Sequence, residues 1–514
     1  MTPLFCFSAF LLLTLPWLSP LASGPSPTVA PWLISMACAV VVLLLFSLQS
    51  KAQAHVSSPS PSNVPYRFAT SVLTAGLVSS VLALLQYFDV EALFAPLISL
   101  TEPGQAFANL RQRNQFASLT NMALAALLWL AVQVRQTPST PTFLRSGLLL
   151  AAAALLGVGN AISSSRTGLF QLVLLCSLYA VWGGWRFAPL RRLLVCAVLT
   201  YGVAMFAMPY LAGLDVASHG AFARLGRDDA CSSRMVLWSN VLHLIAQKPW
   251  LGWGWGELDF AHFMTLYNGP RFCDILDNAH NLPLHLAVEL GVPAALLVCG
   301  GFAWWVVRQK PWLESDAARQ MAWAVMALVL LHSMLEYPLW YGPFQIAFVL
   351  CLLILWRRPT SAFNIKNDAK YASNRPLADV NSAQAAIISI ASAVALAGIV
   401  YAAWDYHRVS QIYLQPEARH AAYQADTLAH ARKSWLFADQ ALFAELMLTP
   451  LTPATALQVY ASAGYLLHYS PEPRVVQKLV ESAVMLGKDA EALAYLARFK
   501  AAFPKEHAAW AKAI

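Results

Sequence analysis

The sequence predicts an all-α, polytopic membrane protein of about eleven transmembrane helices, with one large external loop and a helical C-terminal domain. Three observations predict it. Of 514 residues, 58% are hydrophobic and only 12% charged, about half the charged share of a soluble domain. A mean hydropathy of +0.53 over so long a chain exceeds what one buried core requires. The apolar residues also gather into runs of about 17–24, long enough to cross roughly 30 Å of hydrocarbon as helix, where every backbone polar group must be satisfied internally.

In chain order, spans are expected at about 4–23, 30–49, 67–87, 117–134, 145–163, 167–185, 191–210, 283–307, 319–335, 341–356 and 383–404. Met1 to Phe10 carries no Lys or Arg, so the charged head of a secretory signal is missing and the segment reads as an uncleaved first span. A membrane domain is thus expected over about 1–404, with its long loop at about 211–282, and a second domain over about 405–514.

Positive charge sets the orientation. Lys51, then Arg135 and Arg145, then Arg186, Arg191 and Arg192 fall in alternate short connections. Arg308, Lys310 and Arg319 continue the alternation, and Arg357, Arg358, Lys366, Lys370 and Arg375 complete it. These connections are cytoplasmic by the positive-inside rule, and so is the N-terminus. The net charge of +8 therefore reports topology rather than nucleic-acid binding. The tail after Tyr401 and the 211–282 loop then lie outside. Arg111, Arg113 and Arg166 break the rule by lying on that outer side, where several arginines together suit an anionic ligand. At a span end, each alone is equally a snorkelling side chain.

Six cysteines (Cys6, Cys38, Cys176, Cys196, Cys299 and Cys351) fall in spans, where they act as small apolar residues. Cys231 and Cys273 share the long loop. In an oxidising periplasm they are natural disulfide partners; otherwise they are two free thiols. Beyond about 405 the chain is rich in Ala and Leu at helical spacing, as in Leu457, Tyr460, Ala461, Gly464 and Tyr465. Pro450, Pro453, Pro471, Pro473 and Pro504 divide it into helices of about 12–18 residues. Stacked helix pairs of the tetratricopeptide sort are expected, without a clean repeat period.

The outer side carries the chemistry. The sequence has no Walker A loop, HExxH or DxD pair, so no cytosolic energy source is visible. Gly252-Trp253-Gly254-Trp255-Gly256 follows a helix rather than a strand, which excludes a dinucleotide loop, and its tryptophans suit a membrane interface. Arg234-Met235-Val236-Leu237-Trp238-Ser239-Asn240 opens an amphipathic helix leading into that turn. Asp277-Asn278-Ala279-His280-Asn281 then places His280 at the mouth of the next helix, beside Pro283. A helix N-terminus favours a neutral imidazole, suited to general-base work; the plain alternative is an interfacial histidine held by its neighbours.

Phe107-Ala108-Asn109-Leu110-Arg111-Gln112-Arg113-Asn114-Gln115-Phe116-Ala117 resembles the short signature of bacterial O-oligosaccharyltransferases, the protein glycosylation ligases. Ser163-Ser164-Ser165-Arg166-Thr167-Gly168, the Arg234 helix and Asn278-Ala279-His280-Asn281 resemble the wider superfamily of O-antigen ligases and polymerases. Glu336-Tyr337-Pro338-Leu339-Trp340-Tyr341 and the helical tail are similar to the protein-glycosylating branch.

The resemblance implies an enzyme of the bacterial inner membrane with a periplasmic active site. It would transfer an oligosaccharide from undecaprenyl pyrophosphate to Ser or Thr hydroxyls of a periplasmic, pilin-like protein, without a cofactor. Arg166 and Arg234 would meet the pyrophosphate, with Arg111 and Arg113 as outer helpers, because guanidinium binds phosphate oxygens in bidentate fashion. His280 would take the acceptor proton. Gln115, with Asn114 beside it, and Tyr337 would position sugar or acceptor. Asp215, Asp228, Asp229, Asp259, Asp274 and Asp277 show no ligand spacing, so no metal is expected. The alternatives are transfer to lipid A core, polymerisation on the carrier, or transport of lipid-linked sugars. Transport calls for midplane charges and internal repeats, and the spans show few charges and no clear repeat.

Overall fold

A computed structural model describes residues 3–22, 24–53, 64–134, 142–214, 231, 233–356 and 382–512. Arg135, Arg357, Arg358, Lys366, Lys370 and Arg375 of the expected positive connections lie outside the described residues, as do Asp215, Asp228 and Asp229. The described residues are helices and connections, without a strand. The chain is a multi-pass membrane protein. Seven described helices are long and apolar enough to cross a bilayer. The chain divides into two compact units: Met1–Ala22, Thr28–Gly226 and Val307–Val400 form the first, and Ser23–Pro27, Arg227–Val306 and Tyr401–Ile514 the second.

The first unit contains α1 (Pro3–Leu18), α2 (Val29–Gln53), α3 (Val64–Tyr87), α4 (Arg113–Val134), α5 (Thr142–Ile162), α6 (Arg166–Val181) and α7 (Ala188–Leu211). Further along the chain it includes α12 (Ala317–Ser333), α13 (Gly342–Trp356) and the first part of α14 (Ser382–Ser410). Four predicted spans fall on α1, α6, α12 and α13, which are only 16, 16, 17 and 15 residues long.

Helix α4 is the axis of this unit, packing against α3, α5, α6 and α12, and 94% of its apolar window is buried. Its sequence explains why. Ala117, Ala123, Ala125 and Ala126 are small and fully buried, which lets neighbouring backbones approach where no hydrophobic force separates helix from lipid. A methyl group at Gly76 of α3 would lie 2.4 Å from the Ala123 side chain, and one at Gly168 of α6 would lie 2.6 Å from that of Ala117.

The second unit holds α8 (Arg234–Gln247), α9 (Leu258–Met264), α10 (Leu282–Leu290) and the start of α11, where Val292–Ala295, Leu296–Gly300 and Gly301–Gln309 run on as one helix with a π-helical middle. Its tail contains α15 (Thr427–Ala431), α16 (Ala438–Leu448), α17 (Ala456–Leu466), α18 (Pro473–Met485), α19 (Asp489–Ala502) and α20 (Pro504–Ala511). These tail helices run 5 to 14 residues, mostly shorter than expected. Turns at Pro450 and Pro471 and a left-handed Gly487 end them early. Leu466, Val475, Val476, Leu479 and Phe499 form the tail core, and Phe263 of α9 packs into it.

Asp405, fully buried near the end of α14, ties the tail down. Its carboxylate accepts from Ser434 Oγ at 2.9 Å and from the amides of Trp435 and Leu436 at 3.2 and 3.0 Å, and it pairs with Arg408.

One expectation needs correction. A single span across 283–307 is broken at Gly291, which adopts φ 88° and ψ 159°, a region open essentially to glycine alone. Helix α10 ends at Leu290, and the candidate span starts afresh at Val292. The cause is a backbone stitch. The turn after α8 lies across the end of α10, with Trp253 N donating to Val288 O at 2.9 Å, Gly254 N to Glu289 O at 3.0 Å and Val292 N to Pro249 O at 2.8 Å. A methyl group at Gly252 would lie 2.3 Å from the Glu289 carbonyl, and one at Gly291 would lie 2.1 Å from the Trp250 oxygen. Hydropathy does not register such a contact, because Pro283 to Leu290 is as apolar as a span.

Candidate active site

In the first unit, three motifs that are far apart in sequence meet at one buried junction. Ser165 caps α6, its Oγ accepting from Gly168 N at 3.0 Å, and the same hydroxyl donates to Asn114 Oδ1 at 2.6 Å. Asn114 Nδ2 in turn donates to Glu336 Oε1 at 3.2 Å, just past the end of α12. The N-termini of α4 and α6 and the turn holding Tyr337 are thus joined by side chains 51 and 222 residues apart in sequence.

Gln115 is 2% exposed, and its Nε2 has no hydrogen-bond partner among the described residues. A buried amide left this way is costly in an apolar interior, which points to a polar ligand. Beneath the junction, Ser118 Oγ lies 2.9 Å from His332 Nδ1 and accepts from Gln171 Nε2 at 2.8 Å. Asn121 Nδ2 donates to Gly168 O at 3.1 Å.

The loop before α4 is held by Gln86, fully buried on α3. Its amide donates to Ser99 O and Ala108 O at 2.7 and 3.0 Å, and its oxygen accepts from the Phe107 and Ala108 amides at 3.1 and 2.7 Å. Arg111 donates to Pro20 O at 2.8 Å, Ala22 O at 3.3 Å and Ser99 Oγ at 3.3 Å. Its guanidinium thus clamps the carbonyls beyond α1, a scaffolding job that the charge pattern alone did not disclose.

Arg113 and Arg166 are the first residues of α4 and α6. Arg234, in the second unit, is the first residue of α8, whose cap Ser233 Oγ accepts from Val236 N at 3.3 Å. A cation at a helix N-terminus opposes the helix dipole by about 0.3–1 kcal/mol. Arginine and dipole together are an arrangement suited to an anion.

Around His280 the second unit is built from local caps. His280 has φ 49°, its amide donates to Asn278 Oδ1 at 2.9 Å, and Asn281 caps α10 by accepting from Leu284 N at 3.1 Å. Trp238 of α8 donates from Nε1 to Ala279 O at 3.1 Å. Cys231 and Cys273 are bonded, with Cα atoms 5.4 Å apart. Of the seven non-glycine residues with positive φ among the described residues, four (Ala108, Arg111, Ser164 and His280) fall in the motifs singled out above. Such backbone costs of order 1–3 kcal/mol and collects where geometry serves function.

One turn along α10, His285 Nε2 lies 3.5 Å from Glu289 Oε2, both nearly fully buried. Burial, with His280 nearby, holds the His285 imidazole down at about 4, while burial, with Glu257 nearby, pushes Glu289 up to about 7 against the Gly256 amide. Burial first, and then Asp277 and Glu257, likewise raise Asp259 to about 7. Among the described residues no three His, Cys, Asp or Glu side chains cluster as metal ligands. Ser165, Gln86, Glu336 and the His285–Glu289 pair were not picked out as site residues from sequence. Ser165 left a signal as a capping serine ahead of an apolar run, and Glu336 as the first residue of the Glu336–Tyr341 motif.

Residues 106–131 match the protein glycosylation ligase family, 150–299 the O-antigen ligase family, and 320–514 the C-terminal region of the virulence factor membrane-bound polymerase family. Two proteins of Acinetobacter baylyi are similar to the chain. It is 25% identical to a ComP-specific O-oligosaccharyltransferase over 57% of its length and 50% of that protein's. It is 25% identical to a general O-oligosaccharyltransferase over 53% of its length and 47% of that protein's. The aligned part therefore spans about half the length of each relative. The segment 106–131 contains Arg111 to Gln115, and the segment 150–299 contains Arg166, Arg234 and His280. The chain, multi-pass and helical, is thus similar to O-antigen ligases over residues 150–299 and to protein glycosylation ligases over 106–131, a segment that includes the head of helix α4.

Proposed function

We propose that this protein is an O-linked oligosaccharyltransferase, moving an oligosaccharide en bloc from undecaprenyl pyrophosphate to Ser or Thr hydroxyls of periplasmic proteins such as pilin. The observation that carries this reading is the arginine pattern: Arg113, Arg166 and Arg234 each open a helix inside matched family segments. The acceptor oxygen attacks the anomeric carbon as the bond to pyrophosphate breaks. His280 takes the hydroxyl proton. The departing pyrophosphate gains negative charge, which Arg166 and Arg234 stabilise, with Arg113 as an outer helper. Arg111 holds the loop through the Pro20 and Ala22 carbonyls and is the second outer helper on the lipid phosphate. Gln115 offers its unpartnered amide to sugar or acceptor, and Tyr337 lines the same turn as Glu336. No cofactor or metal takes part.

The accompanying topology has eleven spans, counting the four shorter helices, in the bacterial inner membrane. The 211–282 loop and a tetratricopeptide-like tail lie in the periplasm. A membrane domain over about 1–404 and a tail domain over about 405–514 remain the functional division. A reporter after Lys366 should read cytoplasmic and one after Gln424 periplasmic.

The decisive experiment co-expresses the protein with a lipid-linked glycan and a pilin in a host lacking its own ligases. Intact mass should show the pilin gaining one oligosaccharide. Glycan found on lipid A core instead selects the ligase reading, which the 150–299 match favours, and longer carrier-linked chains select the polymerase reading. Product formed in detergent micelles excludes transport. His280→Ala should lower turnover by about 100- to 10,000-fold with donor affinity near wild type. Arg234→Ala should weaken both by losing a charge-assisted contact, and Arg234→Lys should restore only part.

A further inference from the structure

Helix α8 places large apolar side chains on both its buried and its exposed face. One face packs inward through Leu237, Val241, Leu244 and Ile245. The opposite face is exposed and carries Met235 at 82% and Leu242 at 55%, with Ser239, His243, Ala246 and Gln247 exposed beside them. The stripe continues past the helix into Trp250 at 76% and Leu251 at 86% exposed. No acidic residue occurs from Arg234 to Gly256. A water-facing helix carries its charges on the exposed face, as α19 does with Asp489, Glu491 and Lys500. Helix α8 has no acidic residue and no lysine, and its largest exposed side chains, Met235 and Leu242, call for an apolar surrounding.

The backbone says which surrounding. Pro249 O accepts from Val292 N at 2.8 Å, and Gly291 packs directly on the Trp250 carbonyl. Val292 begins the span Val292–Leu313, only 6% of whose apolar window is buried by protein. The exposed Trp250–Leu251 corner is therefore continuous with a lipid-facing helix at the point where that helix enters the bilayer. Lys248 sits over the Trp253 ring at 4.0 Å, a cation and an aromatic at the level where headgroups lie.

We propose that α8 and the Lys248–Leu251 corner form an interfacial platform, lying along the bilayer surface with Met235, Leu242, Trp250 and Leu251 in the headgroup–acyl boundary. The platform fixes α8, and with it Arg234, at headgroup depth. The lipid contact stands on exposure and backbone geometry alone; only the use of that depth for a lipid pyrophosphate rests on the function proposed above.

The test is photocrosslinking of the full chain in nanodiscs of phosphatidylethanolamine and phosphatidylglycerol. p-Benzoylphenylalanine replaces Leu242, Leu251, Leu297 or Leu493 one at a time. Leu297, in the span, is 78% exposed, and Leu493, on the tail, is 66% exposed. Intact mass should show phospholipid adducts at positions 242 and 251 near the level at 297, and about tenfold or more above 493. Lipid adducts at 242 and 251 no higher than at 493 overturn the platform. So does crosslinking of those positions to added acceptor pilin in preference to lipid, which makes the stripe a protein-docking face. Neither result depends on whether glycan is transferred.

Discussion

The candidate residues of the two units are held by opposite means. Around Asn114, Ser165 and Glu336, position is set by side-chain hydrogen bonds between long helices, one of which is 94% buried along its apolar window. Around Arg234 and His280, position is set by backbone lying on backbone at Gly252 and Gly291, by short capped helices and by a disulfide. The difference follows from surroundings. A membrane helix satisfies its own backbone, so only side chains are left to fix register. A helix of nine residues such as α10 is too short to hold itself, and tertiary and covalent ties must do so.

That contrast can be broken in a graded way. Gly291→Ala should be the most severe, because it adds backbone strain to a clash that no rotamer relieves, about 2–6 kcal/mol together. Thermal unfolding in detergent should show a large loss of stability, and a variant as stable as the parent would mean that the α10 seat does not depend on the stitch. Replacing both Cys231 and Cys273 by Ser should cost about 2–5 kcal/mol, with faster amide exchange across 233–276. Unchanged exchange there would remove the disulfide as a tie.

In the first unit, Asn114→Leu strands Ser165 and Glu336 together and should cost about 1–3 kcal/mol, whereas Ser165→Ala removes a cap worth about 1 kcal/mol. If the double variant costs the plain sum of the two, the three residues do not act as one network.

The smallest effect at neutral pH concerns His262. Burial first, and Arg271 second, hold its imidazole down at about 3, against an ordinary 6.5. Its folded pKa is depressed, so the stability it gives is present above about 6.5 and is lost as pH falls toward 3. The raised carboxyl of Asp259 acts in the opposite sense, since the stability it gives is lost as pH rises through about 7. His262→Gln isolates the imidazole: relative to the parent, the variant should gain in melting temperature between pH 7 and pH 5. Parallel pH profiles would contradict the assignment.

Much of the membrane part was legible because hydropathy and charge act locally. The α4 head, the Ser165 cap and the His280 turn each announce themselves within about six residues. Other features were not. Arg111 reads as an outward cation until the Pro20 and Ala22 carbonyls are found in its grasp. Gly291 reads as the interior of a span until Trp250 is found against it. His285 and Glu289 lie unremarked inside the expected 283–307 span until the structure shows them buried together, with both shifted.

By itself, then, the sequence determined that this protein is helical and multi-pass, and which short motifs carry charge on its polar connections. Length and hydropathy suffice for that, since lipid leaves a spanning segment almost no alternative to helix. Tertiary structure alone decided which polar groups face one another: Asn114 with Ser165 and Glu336, Gly252 and Gly291 with opposing backbone, Gln115 with an amide left over. These pairings join residues up to 222 positions apart. A hydrogen bond or a close backbone contact depends on distances of a few tenths of an ångström, which no local pattern encodes.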